Sequence, residues 1–306
     1  MKTLTLQQTE IKPKELKAKA QEAFDLLDVS EATRGDYRAR IGLFMDFIRK
    51  NGTNANSFRE FKRYLATRDD LAISTKNKYL ASAKIFLKEL NRQGIIPVDI
   101  TQNTKSFSQD KKHKRDGLND EEIAKLSGHL INLEQTPETA RLRAMVSLLA
   151  LQGLRQIELS RLNVSDLDLK NKVAFIQGKG RDDKEPVDLH PEAVEALKSY
   201  LDISKKKSGA LFTSASNRAT GDHRITTRSI RRIIKTELTK VDILKSTHGF
   251  RHYFTTTLIK TYKGDLLTVA QYTRHRGLEM LQVYNDSIKK KADLPRYYGA
   301  FSGVKF

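Results

Sequence analysis

The chain has 306 residues, 38% of them hydrophobic, which is enough to bury one large core or two medium ones. Its formal charge of +19 is divided almost evenly, with 24 Lys and Arg against 15 Asp and Glu in residues 1–117 and 32 against 22 in residues 118–306. Two basic modules point to a long polyanion gripped from more than one side, and the absence of cysteine excludes disulfides, thiolate metal ligands and cysteine nucleophiles.

The opening stretch MKTLTLQQTEIKPKELKAKAQ holds no apolar run of signal-peptide length, and no run of about 18 apolar residues follows it. A cytoplasmic protein without a membrane span is expected. Residues 31–50 place Tyr37, Ile41, Phe44 and Ile48 at helical spacing, with Ser30 as N-cap and Gly52 as stop. Residues 74–93 place Leu80, Ala83, Leu87 and Leu90 on one stripe and end at Gly94, with Lys76, Lys84 and Lys88 off that stripe. Shorter segments near 14–27 and 56–67 complete a bundle of about four helices. Residues 97–117, PVDITQNTKSFSQDKKHKRDG, are polar and end in a basic run, the composition of an extended linker.

A second module begins with a helix capped by Asn119 or Asp120, followed by an apolar helix over about 138–152. The stretch GLRQIELSRLNVSDLDL reads as a short helix running into a loop, and KVAFIQGKGRDDKEPVDL as a β-hairpin turning at Gly-Lys-Gly. From Pro191 onward the pattern is helical, apart from a short strand at 210–213. The expected class is therefore mainly α with a small β-hairpin or sheet in the second module.

Four places put charged or titratable groups where a plain helical core has no use for them. Arg155 and Glu158 lie three apart on one helix face, directly after the apolar LLALQGL. A surface ion pair is the simpler alternative, but an arginine at the edge of a core is more often held for a ligand. Lys179 sits between two glycines that let a hairpin tip approach a ligand closely. His248 and Arg251 lie three apart on a helix capped by Ser246 or Thr247, an awkward pairing unless an anion sits between them. His275 and Tyr284 are nine residues apart, so at about 100° per residue one continuous helix would put them on opposite faces. Gly277 is the expected break, with Leu278, Met280 and Leu281 anchoring a short helix LEMLQVYND.

Together these residues make an anion site suited to a phosphate diester. Arginine forks bind non-bridging oxygens, a tyrosine attacks phosphorus when a base or cation helps it ionise, and a lysine protonates a leaving alkoxide. No Asp/Glu cluster with metal-binding spacing accompanies them, so no metal or other cofactor is expected.

Order and spacing of these motifs resemble the tyrosine recombinases, the integrase family that includes the Xer-type recombinases. GLRQIELSRLNVSDLDL with Arg155 and Glu158 matches the first motif, Lys179 the hairpin lysine, HGFR with His248 and Arg251 the His-x-x-Arg box, His275 the next histidine, and Tyr284 the nucleophile. The resemblance implies a two-domain architecture. A helical, SAM-like core-binding domain would span 1–98, an interdomain linker 99–117, a mixed α/β catalytic domain 118–289, and a tail 290–306 that docks on a neighbouring subunit through Tyr297, Tyr298 and Phe301. It implies that Tyr284 forms a 3′-phosphotyrosyl link, that Arg155 and Arg251 hold the scissile phosphate, and that Lys179 is the acid for the leaving 5′-oxygen. His248 would assist as base and His275 would hydrogen-bond the phosphate. Strand exchange would proceed through a Holliday junction in a homotetramer on double-stranded DNA, without metal or ATP, with a paralogous recombinase or accessory protein as a further possible partner.

Two departures stand out. TRHRG replaces the family's common Leu-Gly-His-Ser, adding Arg274 and Arg276 where small residues are usual, and Asn285 follows the tyrosine where histidine is frequent. Lys76, Lys84, Arg224, Arg228, Arg231, Arg274 and Arg276 are the expected DNA contacts. No arm-binding domain is evident before residue 14, which favours a recombinase acting on short core sites, in chromosome dimer resolution or in a simple mobile element. Two rival readings use the same residues: a type IB topoisomerase-like enzyme, and a DNA-binding regulator that has lost catalysis.

Overall fold

The computed structural model describes residues 13–109, 117–178, 180–214 and 223–304, and the chain divides into two compact units, 1–110 and 111–306. Among the described residues the first unit packs four helices: α1 (Pro13–Asp25), α2 (Glu31–Asn51), α3 (Ser57–Ala66) and α4 (Ile73–Arg92). Helix α2 starts where the Ser30 hydroxyl accepts from the Thr33 amide and stops where the Gly52 amide donates to Ile48. Burial of the 3.6-residue stripes then builds an aromatic core from Phe24, Phe44, Phe58, Phe61 and Phe86, with Phe44 edge-on to Phe61 at 4.9 Å between centroids.

Residues 99–109 do not form the extended linker expected for them. Asn77 clamps the backbone of Phe107 on both sides, accepting from its amide at 2.8 Å and donating to its carbonyl at 3.0 Å. The Phe107 ring lies under the Lys62 ammonium at 5.3 Å, and Ile100 packs on the helical core. Side-chain amide clamping and apolar burial outweigh the polar composition that suggested a free segment. The basic run at 111–116 lies outside the described residues.

The second unit contains α5 (Asp120–Ile131), α6 (Pro137–Leu151), α7 (Gln156–Arg161), strands β1 (Leu167–Asp168), β2 (Val173–Gln177) and β3 (Lys184–Asp188), and α8 (Pro191–Ser204). It continues with α9 (Thr227–Lys240), α10 (His248–Thr261), α11 (Leu266–Thr273) and α12 (Glu279–Gly299). Asn119 caps α5 in a reciprocal box with Glu122, and Thr136 with Pro137 opens α6. The strands form an antiparallel sheet in the order β1-β2-β3, with Phe175 opposite Pro186 and Gln177 opposite Lys184. Ala174 and Ile176 face the core while Phe175 between them is exposed, the alternation of a sheet covered on one side. The strand expected at 210–213 is instead two isolated bridges, Asn163 with Ala210 and Thr213 with Arg224.

The large core gathers Met145, Leu148, Ile176, Leu197, Phe212, Ile230 and Phe250. A smaller cluster of Ile259, Val269, Leu281 and Tyr284 ties α10, α11 and α12 together and so sets where Tyr284 lies. The helix that carries Tyr284 is not the short segment expected: it runs 21 residues, through Pro295, so residues 290–299 continue it rather than leaving it as a tail. Of the three expected anchors only Leu281 is buried, while Leu278 and Met280 are exposed. No helix among the described residues is long and apolar enough to cross a membrane.

Candidate active site

The site starts at the end of α6. Gly153 has φ +57, and a Cβ there would lie 2.3 Å from the Phe254 ring, so the turn needs glycine for both backbone and space. This turn delivers Arg155 to the N-cap of α7. The buried Glu158 carboxylate accepts from the Arg155 amide at 2.8 Å and from its Nη1 at 2.8 Å. The ion pair expected from their spacing is therefore real, and its carboxylate is fully removed from solvent.

Arg251 joins the segments. It is 4% exposed, and its guanidinium donates to the Gly153 carbonyl at 2.8 Å and to the Thr273 carbonyl at 2.5 Å. One side chain on α10 thus fixes the turn before Arg155 and the end of α11 before His275. Burial, with the nearby Arg155 and Arg274 charges, pushes its guanidinium down to about 10, which still leaves it charged at neutral pH.

The interruption expected between His275 and Tyr284 is present, since α11 ends at Thr273 and α12 begins at Glu279. It spans residues 274–278 and so includes Gly277, but its left-handed residue is Arg274. Arg274 adopts φ +54, whereas Gly277 is not left-handed. For a residue with a Cβ that conformation costs about 1 kcal/mol. The Arg274 side chain is 5% exposed, with Nη2 donating to Glu158 at 2.9 Å and Nε 3.5 Å from Glu185 on β3. Glu158 is therefore shared between Arg155 and Arg274. Arg276 is exposed and donates to the Gly180 carbonyl at 3.1 Å. Arg161 donates to the Gly178 carbonyl at 3.0 Å. The hairpin tip is thus tied down on both sides of Lys179, which itself lies outside the described residues.

His275 Nδ1 lies 2.7 Å from the Thr273 hydroxyl, which is 2.8 Å from the Val269 carbonyl. The hydroxyl has one hydrogen and Val269 can only accept it, so the hydroxyl oxygen accepts from Nδ1–H and the lone pair of the neutral ring sits on Nε2. Burial, followed by repulsion from Arg251, Arg155 and Arg274, pushes His275 down to about 4 from its ordinary 6.5. The unfolded chain takes up the proton first as pH falls, so His275 erodes stability progressively from about pH 6.5 to about pH 4. Denaturant unfolding between pH 4 and 7 is expected to show a shallower acid-side decline for His275→Gln than for the wild type. The His275 ring should titrate near 4 by NMR; a midpoint near the ordinary histidine value would refute this account.

Tyr284 is 5% exposed, packed edge-on to His252 with ring centroids 4.4 Å apart. Burial raises its phenol above the ordinary value, with the Arg251 charge opposing. His248 opens α10 and its field reaches His275. Arg155, Arg251, His275, Tyr284 and His248 are thus gathered at one place. Their most informative supports, Gly153, Thr273 and Glu185, were not singled out by sequence reasoning. Gly153 was recoverable from its place before Arg155; the other two contacts link residues far apart in the chain and leave no local signature.

Two of the expected DNA contacts are internal ties. The Lys76 ammonium is buried and donates to the Ala66 carbonyl at 3.0 Å, closing the end of α3. Arg224 donates to the carbonyls of Ser160 and Leu162 at 3.0 and 3.1 Å and to the Asn163 side chain at 2.6 Å. Lys84 is half-buried near the Asp99 carboxylate. Arg228 and Arg231 are exposed on α9, and Arg231 borders a groove of about 620 Å³ with Lys235 and Lys245. A groove of about 430 Å³ in the first unit, lined by Arg59, Lys62, Arg63, Asn103, Lys105 and Phe107, was not anticipated.

A mainly helical chain with a small antiparallel sheet and a cluster of arginines, histidines and one tyrosine has the makings of an enzyme that transfers DNA strands through a tyrosine. The chain matches the Phage integrase family over residues 116–291. Tyrosine recombinase XerC of Pelotomaculum thermopropionicum is 31% identical over 242 residues, covering 74% of this chain and 75% of that protein. Tyrosine recombinase XerC of Lactobacillus delbrueckii subsp. bulgaricus is 28% identical over 243 residues, covering 76% and 79%. Among solved structures, the XerH recombinase in a post-cleavage complex with palindromic difH substrate superposes with a TM-score of 0.69 at 19% identity, covering 93% of this chain and 84% of that one. The Tn1549 transposon integrase with transposon right end DNA gives 0.68 at 14%, covering 94% and 100%. The chain belongs to the phage integrase family and is a tyrosine recombinase, an enzyme of site-specific DNA recombination.

Proposed function

We propose that Tyr284 is the nucleophile of this recombinase and that Arg155 and Arg251 hold the scissile phosphate. The observation that carries the assignment is the pair of Arg251 hydrogen bonds, to Gly153 beside Arg155 and to Thr273 beside His275. Through them motifs scattered along about 130 residues of chain share one cationic site. The Tyr284 oxygen attacks phosphorus, a 3′-phosphotyrosyl bond forms and the P–O5′ bond breaks. Lys179 gives its proton to the departing 5′-oxygen, and His248 takes the phenol proton. The neutral His275 ring presents a lone pair at Nε2; the negative charge of a bound phosphate favours its protonation, after which it donates to a phosphate oxygen. Because Tyr284 is almost fully covered here, the segment leading into α12 must yield before its hydroxyl meets DNA.

The rejoining step is the reverse attack by a 5′-hydroxyl, and exchange between two duplexes requires four protomers around a Holliday junction. The double-stranded DNA is gripped by phosphate contacts to Arg228, Arg231 and the groove around Lys62, and the tetramer forms where that DNA is, in the cytoplasm. Tyr297, Tyr298 and Phe301 cluster with ring centroids 5.6 and 5.7 Å apart and stay exposed, an apolar anchor at the end of α12 for a neighbouring subunit. Removing residues 300–306 and replacing Tyr297 and Tyr298 by serine is expected to leave DNA binding by one protomer intact and to reduce assembly on paired sites, measured by mass photometry; unchanged assembly rejects the anchor. The function itself is tested by incubating the protein with nicked genomic duplex fragments, denaturing, and sequencing the DNA that stays covalently attached. Recurrent short core sites with the protein on a 3′ end support it, and their absence rejects it.

A further inference from the structure

The depression beside the hairpin holds a group for which the reaction described above has no role. Arg274 is nearly fully buried, and among the described residues its Nη1 has no hydrogen-bond acceptor. It lines a pocket of about 280 Å³ together with Arg155, Arg181, Glu185, His275 and Arg276. Four guanidinium groups there meet two carboxylates, and both carboxylates are already shared: Glu158 by Arg155 and Arg274, Glu185 by Arg181 and Arg274. The pocket therefore carries surplus positive charge around a neutral imidazole.

A brace for Glu158 does not account for this residue. Arg155 already gives that carboxylate two hydrogen bonds, and Arg274 adds a third with Nη2 alone. A brace would not need a second, unsatisfied donor, and an unsatisfied buried donor is a standing penalty. The side chain is moreover kept at a left-handed position, where glycine would be relaxed. Strain and an orphaned donor at the same residue, in a pocket with net positive charge, call for an anion.

We infer that Arg274 is a third phosphate-binding arginine, its Nη1–H donating to a non-bridging oxygen of the phosphodiester that Arg155 holds. The inference rests on the recombinase site proposed above. It gives the basic TRHRG segment a part in the chemistry, since the residue that breaks the helix before the nucleophile also senses the charge of the phosphate. Arg276, bonded to the hairpin at Gly180, sits at the rim of the same pocket.

The test compares wild type with Arg274→Gly, which removes the guanidinium and relaxes the backbone, and with Arg274→Lys, which keeps charge without the fork. Each is given the core duplex recovered by covalent trapping, with either an ordinary phosphate or a neutral methylphosphonate at the scissile position. On the ordinary substrate Arg274→Gly is expected to form adduct on the order of 10²-fold more slowly, with Arg274→Lys intermediate. On the methylphosphonate, which has lost one charged oxygen, the defect should shrink to a few-fold. Equal defects on both substrates would mean that Arg274 only supports Glu158, and the inference would fall. A second measurement needs no cognate DNA: inorganic phosphate at constant ionic strength, followed through the His275 ring signals, should bind the wild type on the order of 10-fold more tightly than Arg274→Gly. Equal phosphate affinity overturns the role of Arg274. Failure of the wild type to form adduct with any DNA overturns the recombinase site instead, and the phosphate comparison then still decides Arg274.

Discussion

Tyr284→Phe is expected to abolish covalent capture of nicked DNA, lowering adduct formation by on the order of 10⁴-fold or more, while DNA affinity and fold are retained. The substitution removes one oxygen and nothing else. The ring keeps its place in the cluster with Ile259, Val269 and Leu281 and its edge-on contact with His252. Loss of a phenolic hydrogen bond costs about 1 kcal/mol, too little to unfold the second unit. Since burial raises the phenol above its ordinary value, the wild-type hydroxyl is not ionised at rest, and the site must lower the barrier when phosphate arrives. The experiment is denaturing gel electrophoresis of protein with a nicked duplex, beside a filter-binding assay under the same salt. Adduct that survives in Tyr284→Phe would move the nucleophile to another residue. Loss of DNA binding along with the adduct would mean that the hydroxyl acts in recognition.

How much of this site is legible before the structure depends on how far apart the partners lie in the chain. Arg155 and Glu158 are three apart, so helix geometry alone predicts their contact, and the structure shows it. The need for a break between His275 and Tyr284 also follows from helix geometry. The break includes the expected Gly277, but which residue turns left-handed does not follow, because the tertiary pull of Glu158 and Glu185 places that conformation at Arg274. The same distinction separates the basic residues. From sequence, Lys76 and Arg224 look like Lys84 and Arg228, but carbonyls at the ends of α3 and α7 claim the first two. Asn77 shows it again: nothing local says that its amide will hold Phe107, thirty positions on, and convert an apparent linker into part of the first unit.

Arg251→Ala should separate the catalytic role of a buried arginine from its structural one. The guanidinium closes two carbonyls, Gly153 and Thr273, and charge-assisted bonds of this kind contribute about 1.5–3 kcal/mol each. Against that loss stands relief: burial and the Arg155 and Arg274 charges all oppose the Arg251 charge. Water entering the vacated space can also satisfy the two carbonyls, so the melting temperature should fall by only a few degrees. The rate of adduct formation should fall far more, by on the order of 10²–10³-fold, because a preorganised donor at a developing phosphorane charge acts mainly on the transition state. A third readout links the two. After burial, Arg251 is the strongest influence holding His275 down at about 4, so its removal should raise the His275 titration measured by NMR. Arg251→Lys keeps a charge there and should leave His275 low while still losing most of the activity, since a point charge cannot bridge Gly153, Thr273 and a phosphate oxygen together. If His275 in Arg251→Ala still titrates near 4, the Arg251 charge is not what holds it down, and burial with the remaining Arg155 and Arg274 charges keeps the ring neutral.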